Sequence, residues 1–524
     1  MATELKPAAA DAVGQRVVVM IGFMGAGKST AARGAAEALG SVVIDVDHVI
    51  EERLGKPIAD IFAQDGEPAF RAAEEQITLE LLTSGRPRAA ARVLALGGGA
   101  VESLRVREAL SEHLVVWIDI DVETAWLRCQ GTGRPLAGDR PHFFALYARR
   151  QPLYAQLADI VLPTERSHRV PAALEAAVGL PAGARMLWAA SASGDYPAFI
   201  GPGLITEERF WPVTVTGRRF LVTDGIVARL YAGALPPLDG QVAIMPGEQS
   251  KTIAHAEIVW SELARAGMTR ADVVTALGGG VVGDLAGFCA ATYQRGVRYV
   301  QIPTTLVAQV DSAYGGKTGV DLEEAKNYVG AFHQPQAVIS DVRVLDTLPP
   351  AELAAGYAEV VKTALIAGGD LWERVRGGAA PNDEQVITAC AHAKLRIVAR
   401  DERDGGIRQV LNLGHTVGHA IETVTGYAVY RHGEAVGLGL LAALRLSGQG
   451  DLRAEVAELL AAQGLPVTLD GIDPDAVVMA TARDKKRMGE GPVPFVLLPE
   501  PGSPQPGSTV PPRELIAAVR ELGN

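Results

Sequence analysis

The chain has 524 residues, more than one ordinary core holds, which predicts two domains. Its 49 basic and 61 acidic residues leave a net charge of −12, which argues against a non-specific nucleic-acid binder but permits a local basic pocket for a small anion. Three scattered cysteines (Cys129, Cys289, Cys390) exclude a disulfide framework and suit a reducing cytoplasm, and no apolar run reaches the ~18 residues of a membrane span.

Residues 1–14 hold acids and a proline but no long apolar core, so they read as a disordered tail and not a signal peptide. From residue 15 to 180, "RVVVMIG", "VVID", "VLALGGG" and "LVVWIDI" alternate with alanine-rich helical stretches. That alternation predicts an α/β domain with a parallel sheet, and the glycine-rich loop after its first strand makes it one of the P-loop NTPase type. "GFMGAGKST" follows the first strand and opens a helix. In that setting the backbone of Gly25, Ala26, Gly27, Lys28, Ser29 and Thr30 cradles phosphates, Lys28 reaches the β/γ-phosphates and Ser29 ligates Mg²⁺. The motif calls for a nucleoside triphosphate but names no acceptor. Asp45 and Asp47, two apart at a strand end, can share the work of holding the metal's water shell and accepting a hydroxyl proton. Alone, such a pair is more often a solvated loop. Arg71, the glycines 97–99, Arg134, Arg149 and Arg150 add clamps for a carboxylate and for transferring charge.

Together these residues resemble shikimate kinase over roughly residues 15–175. The resemblance implies that Asp47 and Arg71 hold shikimate with Gly98 and Arg150, Asp47 serving as base. It also implies that Asp45 orders Mg²⁺ through water, that Arg134 lies on a lid closing over ATP, and that Arg128 meets the adenine side.

Residues 181–195, rich in small residues, Gly and Pro, read as a linker. A second α/β pattern ("RRFLVTD", "QVAIMPG", "ADVVTALGGG") fills 196–348, and long alanine- and leucine-rich helices fill 349–524. "VVTALGGGVVGD" sets Gly278, Gly280 and Gly283 in G-x-G-x-x-G register after a strand, yet no acid follows about 20 residues on. Asp224, ending an earlier strand, could take the ribose hydroxyls instead. Further on, "LNLGHTVGHAIE" places His415 and His419 one helical turn apart. They could share a metal or have different tasks, and Thr416 removes the zincin base.

The ordered set Glu248, Lys251, Arg295, Thr304, Thr305, Asp311, Lys317, Lys326, Asn327, Glu359, Lys362, His415, His432 and "RDKK" resembles 3-dehydroquinate synthase over about residues 195–520. The resemblance implies an α/β NAD-binding lobe and a helical metal-binding lobe. Glu359, His415 and His432 would ligate Zn²⁺ or Co²⁺, while His419 would sit in the substrate site. NAD⁺ would meet Asp224, Glu248, Lys251, Gly280, Val281, Val282, Gly283, Asp284, Thr304, Thr305, Lys317 and Lys326. Asp311, Lys317, Lys394, Arg408, Asn412 and His419 would act on the substrate, with Asn327, Lys362, Asp404, Lys485 and Lys486 binding it. Arg295 would reach a partner's site in a homodimer. Two departures stand out: Asp404 where the family has Glu, and Ile226 where it favours Asn.

The expected chemistry of the second domain is conversion of 3-deoxy-D-arabino-heptulosonate 7-phosphate to 3-dehydroquinate and phosphate, through transient oxidation of a ring hydroxyl by NAD⁺. Other sugar-phosphate cyclases and polyol dehydrogenases are the alternative, although a dehydrogenase has no use for so many phosphate-side cations. The whole chain thus reads as a cytoplasmic bifunctional enzyme of the shikimate pathway with small-molecule substrates, acting on neither nucleic acid nor membrane.

Overall fold

The computed structural model describes residues 16–83, 92–132, 134–323, 326–481 and 493–523. Two compact units divide the chain. The first runs to Ala189 and takes in Pro197–Phe199 and Phe210–Val215; the second holds Ala190–Tyr196, Ile200–Arg209 and Thr216–Asn524.

In the first unit, strands β1 (Val18–Ile21), β2 (Val42–Asp45), β3 (Arg92–Ala95), β4 (Leu114–Asp119), β5 (Ile160–Pro163) and β6 (Arg185–Ala189) lie in the order β2-β3-β1-β4-β5-β6. Every pairing among them is parallel. β1 is apolar throughout, β4 is apolar up to its last residue, Asp119, and both are buried at every residue, as a sheet covered on both faces demands. β1 sits between β3 and β4, so the winding reverses there and a crevice opens beyond its C-terminal end. Helices α1 (Lys28–Ala38), α2 (Val46–Leu54), α3 (Gly66–Thr83) and α4 (Arg140–Leu157) frame that crevice.

The expected linker 181–195 contains β6, which pairs with β5 through Met186 and Leu187. Met186, Leu187 and Trp188 are large and buried, and their burial outweighs the surrounding small residues that make the segment look like a spacer. A further strand, β7 (Tyr196–Gly201), falls where the two units divide.

In the second unit β8 (Arg219–Asp224), β9 (Gly240–Ile244), β10 (Val273–Gly278), β11 (Arg298–Pro303) and β14 (Ala337–Asp341) form parallel strands in the order β14-β11-β10-β8-β9. β12 (Lys317–Val320) and β13 (Val329–Phe332) make an antiparallel hairpin beside it. The C-terminal ends of β8 and β10 present Asp224 and the start of α5 (Gly280–Thr292). After Pro349 the chain is mainly helical, as the composition predicts: α6 (Pro350–Ala367), α7 (Glu384–Arg400), α8 (His415–Val424) and α9 (His432–Leu446) carry the chemistry-bearing residues. No described helix is long and apolar enough to cross a membrane.

Glycines bring these helices unusually close. A Cβ on Gly433 of α9 would stand 1.8 Å from the Ala355 carbonyl oxygen of α6. One on Gly439 would stand 2.0 Å from the carbonyl oxygen of Gly414, just before α8. Backbone touches backbone at both crossings, so neither contact can yield by a side-chain rotation. Gly433→Ala is therefore expected to cost roughly 1–3 kcal/mol or more. The measurement is urea unfolding of the second unit's transition, and an unchanged midpoint would contradict this packing.

Candidate active sites

In the first unit the loop after β1 is shaped by Gly22, Gly25 and Gly27, at φ of 141°, 78° and 89°. L-residues with side chains rarely adopt these angles, which is why the motif needs glycine at these places. Gly27 caps α1, so the N–H groups of Lys28, Ser29 and Thr30 stand at a helix N-terminus. Lys28 Nζ donates to the Phe23 carbonyl at 3.1 Å. Burial pushes its ammonium down to about 8, against the attraction of Asp47 and Asp45 and with Arg134 and Arg150 nearby. Ser29 Oγ donates to Asp45 Oδ2 at 2.6 Å, and Asp45 Oδ1 accepts from Asp47 N as the cap of α2. Burial also raises the Asp47 carboxyl, with Lys28 opposing.

Arg71 binds Glu74 at 2.6 Å and Glu67 at 3.0 Å, and Arg150 binds Glu102 at 2.7 Å while only 1% exposed. The glycines 97–99 leave the space this needs. A Cβ on Gly97 would fall 2.3 Å from Glu74 Oε1 and 2.8 Å from Asp47 Oδ1, and one on Gly99 would fall 2.0 Å from Arg71 Nη1. The Gly98 carbonyl accepts from the Tyr154 hydroxyl at 2.6 Å. Arg128 binds the Gly25 carbonyl at 3.1 Å, beneath the phosphate loop. Glu74 and Glu102 are partners that sequence reasoning missed. Glu74 lies one turn beyond Arg71 on α3, the signal that could have found it.

In the second unit a cavity of about 1560 Å³ collects nearly all the expected residues. Its lining includes Asp224, Glu248, Lys251, Gly280, Val281, Val282, Asp284, Thr304 and Thr305, together with Asp311, Lys317, Lys326, Asn327, Lys394, Asp404, Arg408, Asn412, Glu359 and the three histidines. Asp224 Oδ1 accepts from Ile226 N and Val227 N at 2.8 and 2.9 Å, so the substituted residue contributes its backbone here. Lys251 binds Asp284 at 2.7 Å, and Lys317 binds Asp404 at 2.5 Å. The shorter Asp404 thus still reaches its lysine. Asp311 accepts from Lys362 at 2.8 Å and also pairs with Lys394. Burial pushes Lys394 down to about 8 despite that partner.

Three expected residues lie elsewhere. Gly283 backs onto Gln301 and not the cavity. Lys362, expected at the substrate, is 1% exposed and instead pairs with Glu359 at 2.6 Å as well as with Asp311. Its position three residues after Glu359 on α6 turns it toward that carboxylate. Arg295 is exposed, outside its own chain's cavity. Lys485 and Lys486 fall outside the described residues.

The donor set for a metal is Glu359 from α6, His415 from α8 and His432 from α9. Glu359 Oε1 lies 3.5 Å from His415 Nε2 and 3.2 Å from His432 Nε2. Edges of about 3.3 Å are those of a tetrahedron with zinc-to-donor bonds of 2.0–2.1 Å, so the residues fit a divalent ion. Burial pushes the Glu359 carboxyl up, but Lys362 and both histidines outweigh it and hold it well below the ordinary value. His419 is set apart from Glu359: its partners in a second cluster are Glu422 and His432. Glu422 was not foreseen, although it follows His415 by seven and His419 by three on one helical face.

Comparison with known proteins finds relatives for both units. The shikimate kinase family pattern matches residues 24–177, and the N-terminal and C-terminal patterns of 3-dehydroquinate synthase match 241–355 and 356–487. The 3-dehydroquinate synthase of Halorhodospira halophila is 44% identical over 330 residues, 60% of this chain and 93% of the relative. That of Symbiobacterium thermophilum is 43% identical over 333 residues, 59% and 92%. Among solved structures, 2-deoxy-scyllo-inosose synthase complexed with carbaglucose-6-phosphate, NAD⁺ and Co²⁺ covers 64% of this chain and 99% of its own, at 25% identity and TM-score 0.57. The 2-epi-5-epi-valiolone synthase of Streptomyces hygroscopicus, with NAD⁺ and Zn²⁺ bound, covers 62% and 96% at 26% identity and TM-score 0.57. The other cyclases thus resemble the chain more distantly than the dehydroquinate synthases do, which disfavours the alternative reading. The chain belongs to the 3-dehydroquinate synthase family, carries a shikimate kinase domain ahead of that half, and is a bifunctional enzyme of the shikimate pathway.

Proposed function

We propose that the first unit transfers the γ-phosphoryl group of Mg·ATP to the 3-hydroxyl of shikimate. The second unit cyclises 3-deoxy-D-arabino-heptulosonate 7-phosphate to 3-dehydroquinate, using NAD⁺ and one Zn²⁺ or Co²⁺. One observation carries the second assignment: Glu359, His415 and His432 stand in the same cavity as Asp224 and the N-terminus of α5. The cofactors bound in the solved relatives support it.

In the kinase reading, residues 25–30 hold the phosphates, and Ser29 with Asp45 orders Mg²⁺. Arg134 closes over ATP. Asp47, its carboxyl raised by burial and so a stronger base than an exposed aspartate, takes the hydroxyl proton. Arg71, Arg150 and Gly98 receive the acid, which must share guanidinium groups now held by Glu74 and Glu102.

In the synthase reading, Asp224 faces the ribose and the α5 N-terminus faces the pyrophosphate. Glu248, Lys251, Thr304 and Thr305 line the same cavity. A metal bound at the triad supplies Lewis acidity toward the hydroxyl that is oxidised. Lys317, Asn327, Arg408 and Asn412 bind the anionic ends of the substrate, a task shared by Lys485 and Lys486 outside the described residues, and Lys326 meets NAD⁺. Lys394, at about 8, is charged at neutral pH yet close enough to release a proton during turnover. Lys362 steadies Glu359 from behind. We place the enzyme in the cytoplasm as a homodimer, with Arg295 serving the partner's cavity. Gln294 and Arg295 adopt φ of 48° and 67°, and Arg270 clamps this turn by donating twice to the Gln294 carbonyl.

Metal content tests the triad. His415→Ala is expected to lose the bound ion, whereas His419→Ala should keep it and lose rate; equal loss in both would refute the division of labour. For the dimer, mixing Arg295→Ala and Lys317→Ala chains should restore activity at one of two sites, because one site then carries neither lesion. No recovery on mixing would count against it. In the kinase half, nucleotide phosphates should raise the Lys28 ammonium again. At pH 8.5 and above, where the free enzyme holds Lys28 largely neutral, ATP binding should take up a proton that Lys28→Met does not. Calorimetry in buffers of different ionisation heat reads that proton, and identical values for the two proteins would contradict the lowered Lys28.

A further inference from the structure

The two ring nitrogens of His432 face different carboxylates. Nε2 lies 3.2 Å from Glu359 Oε1, and Nδ1 lies 3.4 Å from Glu422 Oε2. Glu422 is 2% exposed and sits on the face of α8 that carries His415 and His419. Its other oxygen, Oε1, is 3.3 Å from Lys326 Nζ. That ammonium also lies 3.5 Å from Glu248 and 4.3 Å from the centre of the Tyr427 ring. His415 is held in a parallel way, with Nδ1 3.2 Å from the Leu413 carbonyl and Nε2 turned to Glu359. Both histidines therefore aim Nε2 at one point and give Nδ1 to an acceptor. The acceptors differ: a neutral carbonyl for His415, a buried carboxylate for His432.

We propose that Glu422 is a positioning residue for the metal site. Its carboxylate accepts the Nδ1–H of His432, which fixes the ring's tautomer and leaves the Nε2 lone pair free for the ion. This rests on the reading of Glu359, His415 and His432 as ligands. A charged acceptor makes the imidazole a stronger donor than a carbonyl does, and loss of such a partner typically costs 10- to 100-fold in metal affinity. Lys326 draws charge from the same carboxylate and so moderates the effect. Removing the lysine should strengthen the hold on the ring, and removing the acid should weaken it.

The test is Co²⁺ affinity of the full chain, measured by competition with a chromophoric chelator without nucleotide or substrate. The visible absorption of the bound ion supplies a second readout. One ion per chain is expected, lost in His415→Ala. Glu422→Ala should bind it about 10- to 100-fold more weakly, with a changed spectrum, because the ligand field of His432 is altered. Glu422→Gln, which keeps the shape and an acceptor oxygen, should recover part of that loss. Lys326→Met should bind Co²⁺ at least as tightly as wild type. If Lys326→Met weakens binding as much as Glu422→Ala, Glu422 is only the anchor of a salt bridge and the proposal falls. If wild type binds two ions and Glu422→Ala simply loses one, with the tight site and its spectrum unchanged, Glu422 is itself a ligand with His419 and the proposal is equally overturned. Retention of the ion by His415→Ala would instead remove the underlying triad, and with it both readings.

Discussion

The second active site depends on three helices approaching one buried carboxylate. Glu359 is fully enclosed in α6, and only close passage of α8 and α9 can bring two imidazoles within 3.5 Å of it. That passage is made possible by glycine: Gly433 lets α9 touch the backbone of α6, and Gly439 lets it touch the turn before α8. His432 follows directly from this, since it is the first residue of α9 and the neighbour of Gly433. Packing and chemistry are thus a single constraint, written in residues with no side chain.

The nucleotide sides follow a different logic. In both units a parallel sheet ends in a loop that feeds a helix N-terminus, and the residues that matter are backbone groups with a lysine or an acid beside them. The phosphate loop of the first unit takes its shape from Gly22, Gly25 and Gly27, whose φ angles residues with side chains rarely adopt. The second unit reaches a comparable place by close contact: Gly279 lies against Thr305 and Gly280 against Ser312.

This difference decides what was legible in the sequence. The phosphate loop could be read directly, because a fixed spacing of glycines around Lys28 has few other physical causes. The metal triad could not, since its members lie on three helices and any one histidine reads as an ordinary core residue. Only resemblance joined them. Glu422 escaped because a buried glutamate has no signature until its neighbours are known, even though its spacing to His415 and His419 was on view. The strand Arg185–Ala189 was hidden by the alanines, glycines and serines around it, and Lys362 by its fit to a cationic pocket it turns away from.

The described lysines that line the cavity have internal partners: Lys251 with Asp284, Lys317 with Asp404, Lys326 with Glu248 and Glu422, Lys394 with Asp311. A small anion entering alone would therefore have to compete with carboxylates already in place, at the cost of leaving them unpaired. The balance changes for a molecule that presents several anionic and hydroxyl groups at fixed separations, since it can replace several of those partners at once. At these lysines the exchange of partners thereby favours a molecule with several anionic groups over a single small anion.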